Sequence, residues 1–396
     1  MSFAPSNAVQ RASVGGKALS GFLLSGFQMA LLGAILPAWG YHRDPPDFSA
    51  VGTYFLALAA GIGVASLFAR RTVERRGISF TLVVACVISA LSLGFLALVS
   101  PPASAWWRTA GLLTLGAGAG LLNLALFSAI SSSYQRDAAG TMNLGGVWYG
   151  LGCLSASLLV AGTFYAYTVP SILIFMAVVP ALFGGLFLQT RFDAVPASAH
   201  PTFRQALDDF RSPGAVLFAL LLFFQFGNEW SIAGWLPLFL IRRVGLSPIG
   251  ALEILALYWS FLLAGRLAAV AILPRISHRR LLLGSGASAL FGCFLLFYTN
   301  NSFGAGTAAF FIGAGYASIY PLVAEAIGRR FPYFHPGFFN GIFSFALLGG
   351  LLAPATLGYA ATFLGVGVVI AIPLIGTFLV MLLLILIWLE SKMTGR

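Results

Sequence analysis

Long apolar runs, interrupted at short intervals by glycine, proline and small basic clusters, follow one another along almost the whole chain. A helix needs about 20 consecutive apolar residues to cross the hydrocarbon core of a bilayer. Runs of that kind fall at 18–40, 49–69, 78–99, 107–131, 140–162, 168–189, 213–240, 249–272, 280–299, 303–327, 336–361 and 364–389, which predicts twelve spanning helices. Most connections are short. The stretch 190–212 is polar and holds Arg191, Asp193, Arg204, Asp208, Asp209 and Arg211. The pattern therefore predicts an all-α integral membrane protein with an N-terminal six-helix bundle over 1–189, a cytoplasmic linker over 190–212 and a C-terminal six-helix bundle over 213–396. Arg11 and Lys17 precede the first run as in a signal peptide, but the run continues through Leu36 to Gly40 without a convincing small-residue cleavage site, so it reads as a span.

The basic residues orient these spans. Of the 22 Lys and Arg, seventeen fall in segments that share a side with the two termini, four (Arg43, Arg108, Arg242, Arg243) fall on the other, and Arg266 lies within a span. Positive charge marks cytoplasmic loops, so both termini are expected in the cytoplasm. A bacterial-type inner (cytoplasmic) membrane is the simplest location.

Composition supports a lipid environment: 59% of residues are hydrophobic and 8% are charged, against roughly 25% charged in soluble domains. The net charge of +11 is spread over short loop clusters and not over a folded basic face, which argues against nucleic acid as a partner. Cys86, Cys153 and Cys293 sit in apolar runs at spacings that fit neither a metal site nor a disulfide framework. The four histidines lie in loops, and no phosphate-binding loop is present. Neither an enzyme nor an ATP-driven pump is expected, and no cofactor or metal.

The second half repeats the first. A shift of 197 residues carries Phe27-Gln28 onto Phe224-Gln225, Gly116-Ala117-Gly118 onto Gly313-Ala314-Gly315, Asn143 onto Asn340 and Gly152 onto Gly349. Two parallel six-helix halves are the architecture of the major facilitator fold, with a substrate site between them.

The seventh span reads Phe224-Gln225-Phe226-Gly227-Asn228-Glu229-Trp230-Ser231-Ile232-Ala233-Gly234-Trp235. The eighth holds Tyr258-Trp259 and Gly265-Arg266, the tenth Gly313-Ala314-Gly315-Tyr316 followed by Ile319-Tyr320-Pro321, and the fifth Met142-Asn143-Leu144. In these strings the chain resembles the fucose permease-like, sugar-transporting branch of the major facilitator superfamily over nearly its whole length. The resemblance implies a monomeric secondary transporter. It also exposes departures: Gly146 stands where the branch often has His, and Gly33 and Asn123 stand where the sugar–proton members carry acids. The loop after the second span, with Arg70, Arg71 and Glu74, is a degenerate form of the superfamily's basic loop. These residues read either as positive-inside anchors or as a latch between bundles.

Ionisable groups inside a span are costly and mark function by default. Glu229 and Arg266 are the clear cases. Gln225, Asn228 and Glu229, spaced by three and four residues, predict a polar stripe along one helical face beside Trp230 and Trp235. Amides and a carboxylate bond hydroxyls while aromatic rings cover C–H faces, a combination suited to a polyhydroxylated ligand. Gln28, Asn123 and Asn340 are further candidates and serve equally as interhelical bonds. Trp259 and Tyr316 line a cavity or pack. Arg266 is expected to meet Glu325 in a gating or structural ion pair.

The expected function is transport of a small polar solute, a sugar or related metabolite, by alternating access, with H+ or Na+ as coupling ion or with none. Export of amphipathic, drug-like compounds is the alternative.

Overall fold

The computed structural model describes residues 5–192, 210, 212–331 and 341–393. Among the described residues twelve helices are long and apolar enough to cross a membrane, and no strand occurs. In chain order the long helices are α1 (Pro5–Ile35), α2 (Phe48–Arg76), α3 (Ile78–Leu98), α4 (Ala105–Ala129), α5 (Ala138–Thr163) and α6 (Val169–Leu188). They continue with α7 (Pro213–Phe239), α8 (Pro248–Ile272), α9 (His278–Tyr298), α10 (Ser302–Arg330), α11 (Gly341–Leu364) and α12 (Val368–Met393). A short helical segment, Ser131–Arg136, lies between α4 and α5. The expected linker falls mostly outside the described residues, as does Asn340.

Local chemistry sets the helix ends. Side-chain oxygens of Ser104, Thr168, Ser247, Ser277 and Asn301 accept from the first backbone N–H groups of α4, α6, α8, α9 and α10, satisfying donors that have no intrahelical partner. Pro37, expected inside a span, lies beyond the end of α1 at Ile35, because a proline disfavours helical backbone at the residue before it. The chain then turns at Gly40, whose φ of 84° places it in the left-handed region. Pro237 and Pro321 do sit inside helices. Past Pro237, α7 runs into a π-helical turn over Leu240–Val244.

The described chain forms two compact units. The first draws on 1–29, 57–153 and 167–199, the second on 30–56, 154–166 and 200–396. In the first, α3 packs between α4 and α6, and Phe22 meets Phe127 edge-on at 5.1 Å. In the second, α7 packs on α11 and α12, and α10 lies against α8 and α9.

Glycines at the 197-residue offset occupy equivalent crossings in each unit. Gly116 abuts the backbone of Leu58 on α2, and Gly313 that of Tyr258 on α8. Gly118 faces Ser89 on α3, and Gly315 faces Ala289 on α9; Gly152 abuts Leu23 on α1, and Gly349 abuts Phe223 on α7. None of these positions has room for a Cβ, so the sequence repeat records repeated helix contacts.

The second unit also contains the ends of α1 and α2 around the turn that joins them. There Gly33 lies on the backbone of Ala233 in α7, and Gly52 of α2 meets Gly358 of α11. Trp235, fully buried, donates from Nε1 to the Pro354 carbonyl at 2.9 Å and packs against Phe48 and Phe55. Arg242 bonds the Asp44 carboxylate at 2.7 Å and the His42 carbonyl at 3.3 Å. Burial, then the neighbouring Arg43, with a smaller contribution from Arg242, hold the His42 pKa below its ordinary value of 6.5. Because folding depresses this pKa, its contribution to stability is present above pH 6.5 and is lost as pH falls through the lowered value. A His42→Gln variant should therefore flatten the acid limb of a melting-temperature profile below that pH. An unchanged profile would show that His42 does not govern this end.

Candidate functional site

Two separate polar clusters lie in the second unit, and α7 contributes to both. The first joins four helices. The Thr377 hydroxyl of α12 donates to the Pro373 carbonyl at 2.7 Å, so its oxygen accepts from the Tyr316 hydroxyl of α10 at 2.6 Å and from Asn228 Nδ2 of α7 at 3.4 Å. Cys293 of α9 places its sulfur 3.6 Å from the same tyrosine oxygen. All four side chains are buried, and they bond to one another. Asn228 and Tyr316, read from the sequence as ligand contacts, thus occupy an interhelical network. Replacing Thr377 by valine keeps the shape but strips two buried donors of their acceptor. It should cost about 1–3 kcal/mol, seen as a lower melting temperature with substrate affinity unchanged.

The second cluster has a different character. Gln225 and Glu229, one turn apart on α7, are 0% and 5% exposed. The carboxylate is near enough to the Gln225 amide and to Arg266 on α8 to feel both. Arg266 is itself 6% exposed, so two opposite charges that feel each other are both held out of water, an arrangement that needs compensation. Both amide atoms of Gln225, Oε1 and Nε2, and Trp259 Nε1 are buried without a close hydrogen-bond partner among the described residues. Buried polar atoms are almost always satisfied, so an unused acceptor and an unused donor in one unit leave bonding capacity for a guest. Half-buried Trp230 stacks on Phe226 at 6.4 Å, and Phe226 contacts Tyr320 of α10 at 5.0 Å. The predicted stripe therefore divides: Asn228 turns toward α12, while Gln225 and Glu229 accompany Arg266.

The expected pair of Arg266 with Glu325 is not formed. Both carboxylate oxygens of Glu325 are engaged elsewhere: by the Arg329 guanidinium, one turn further along α10, and by the His278 imidazole, at the start of α9, 3.4 Å away. Arg70 pairs with Glu74 at 2.7 Å within α2 itself. Arg71 is exposed on the same helix.

In the first unit Gln28 Nε2 donates to the Ser89 hydroxyl at 2.7 Å, tying α1 to α3, and its Oε1 is buried without a partner among the described residues. Ser25 donates to Asn123 Oδ1 at 2.6 Å, tying α1 to α4. Gly33 is the residue read from the sequence resemblance as standing where the sugar–proton members carry an acid. Its contact with the α7 backbone leaves no space for a carboxylate, which gives a steric reason for the departure. The crossing of Gly52 with Gly358 was not singled out from sequence. Its only signal was glycine in facing apolar helices.

Comparison with known families settles the architecture. The model of the Major Facilitator Superfamily matches residues 4–158 and 141–354. The chain belongs to this superfamily.

Solved structures of superfamily fold agree over nearly the full length. A D-xylose–proton symporter aligns with a TM-score of 0.76 at 15% identity, covering 95% of this chain and 97% of its own. The nucleoside transporter NupG gives 0.69 at 14% identity, covering 97% and 99%. The Escherichia coli fucose:proton symporter FucP gives 0.63 at 16% identity, covering 94% and 98%. At such identities the likeness shows the fold. No curated protein matches the chain. The fold is thus the one expected: an all-helical major facilitator protein of a membrane, with twelve helices among the described residues long and apolar enough to span it.

Proposed function

We propose that this superfamily member is a secondary active transporter of a small polar solute, a sugar or related metabolite, working by alternating access. The observation that carries the reading is the buried Gln225–Glu229–Arg266 group, with the free Trp259 indole N–H in the same unit. Carboxylate, guanidinium, amide and indole together supply charged acceptors, charged donors and an aromatic face, the chemistry that hydroxyl-rich solutes require. The names of the structural relatives, a xylose symporter, a fucose symporter and a nucleoside transporter, support the same solute class. Proton coupling is the simplest energy source, with Glu229 the membrane acid that exchanges the proton. The division into halves at 1–189 and 213–396, with both termini cytoplasmic, belongs to the same proposal.

The test is uptake into proteoliposomes from a panel of pentoses, hexoses, polyols, nucleosides and amphipathic cations, with and without an imposed proton gradient. Gradient-driven accumulation of one polyhydroxylated series is the expected result. Transport confined to the amphipathic cations would overturn it in favour of an exporter.

A further inference from the structure

A concavity in the second unit is lined by none of the buried group Gln225, Glu229 and Arg266. It is a groove of about 1030 Å³ whose walls include Phe218 of α7, Leu282 of α9, Leu322 of α10 and Leu384 of α12. Its lining carries more cations than anions, with Glu325 the acid among them. Arg279, Arg329 and Arg330 line it together with Trp388. Two of these cations are already compensated: Arg329 by Glu325, and Arg330 by a two-pronged bond to Glu390. Arg279 is not, and neither is Lys392 beside it; both are exposed and neither has a carboxylate partner among the described residues. Each lies over the Trp388 ring, Arg279 at 3.6 Å and Lys392 at 4.6 Å from its centroid.

An apolar trough between membrane helices, with one uncompensated cation in its lining and a second over the Trp388 ring that also lines it, matches one class of molecule, an amphiphile with an anionic head. Basic pockets between spanning helices bind anionic lipid head groups, and tryptophan sits by preference at the level of those heads. The groove opens where α9 begins and where α10 and α12 end. That is the side of the chain's C-terminus, where the distribution of Arg and Lys places the cytoplasmic leaflet with its anionic lipids. A free inorganic anion would use the cations but has no use for the trough.

We propose that this groove binds an anionic phospholipid, its phosphate held between Arg279 and Lys392 beside Trp388 and an acyl chain lying along the Leu282, Leu322 and Leu384 wall. The experiment is native mass spectrometry of the full chain, delipidated in mild detergent and titrated with phosphatidylglycerol, phosphatidylcholine or inorganic phosphate. A one-to-one phosphatidylglycerol complex should form, should not form to the same extent with phosphatidylcholine, and should resist competition by millimolar phosphate. Arg279→Gln and Lys392→Gln should each weaken it about fivefold, the contribution of one cation at a lipid surface. Both side chains are exposed, so either variant reads the site if the other folds poorly. Equal binding of phosphatidylcholine, full competition by phosphate, or unaltered affinity in both variants would overturn the proposal.

Discussion

Glu229→Gln should abolish gradient-driven accumulation of substrate while leaving exchange of labelled for unlabelled substrate across the same membrane measurable. The glutamine keeps the size of the side chain and can still hydrogen-bond, but it cannot exchange a proton and no longer answers the charge of Arg266. A hydrogen bond to a charged group is worth about 1.5–3 kcal/mol, so substrate affinity should fall about 10- to 100-fold. Exchange at saturating substrate tolerates that loss because it needs no net proton movement. A purely structural Glu229 predicts the opposite pattern: a lower melting temperature, with accumulation per folded molecule intact. Accumulation that persists in the variant would remove Glu229 from coupling.

Gly358→Leu should prevent the closed packing at the end of the second unit that contains the α1–α2 turn. Gly52 and Gly358 bring two bare backbones together, and even a Cβ at 358 has no room against Gly52. Overpacking of this kind costs about 1–3 kcal/mol or more, which moves a two-state equilibrium by about 5- to 150-fold. Spin labels at Ser49 and Phe363, on α2 and near the end of α11, report the separation. A distribution displaced to longer distances in Gly358→Leu is the expected outcome. A distribution identical to that of the unaltered protein would show that this crossing does not hold the end closed.

The fold was legible because hydropathy and charge act over whole spans. Twelve runs of the right length admit little else, and the glycine offset carried contact information: Gly116, Gly118 and Gly152 each have a partner 197 residues on that does the same job. The site was legible only in part, and the reason is angular. Successive residues on a helix point about 100° apart, so Asn228 and Glu229, adjacent in sequence, enter different clusters. Nothing in the sequence fixes the rotation of α7 about its axis; the packing of α12 does. Glu325 shows a second limit. From sequence it was paired with Arg266, but Arg329 and His278 hold its carboxylate in the structure. Gly33 shows a third. From sequence it was a missing acid, while in the structure it is a backbone contact that excludes one.

The Gly52–Gly358 crossing has one more consequence, for the ease with which the contact is remade. Glycine has no side chain to immobilise, so bringing these two helices together freezes no rotamers and pays no side-chain entropy at the point of contact. Nothing has to interdigitate in a particular order either, as it would where leucines on one helix seek gaps on another. Two smooth backbone surfaces can part and return to the same place without a search, so this contact is one that is easily broken and remade.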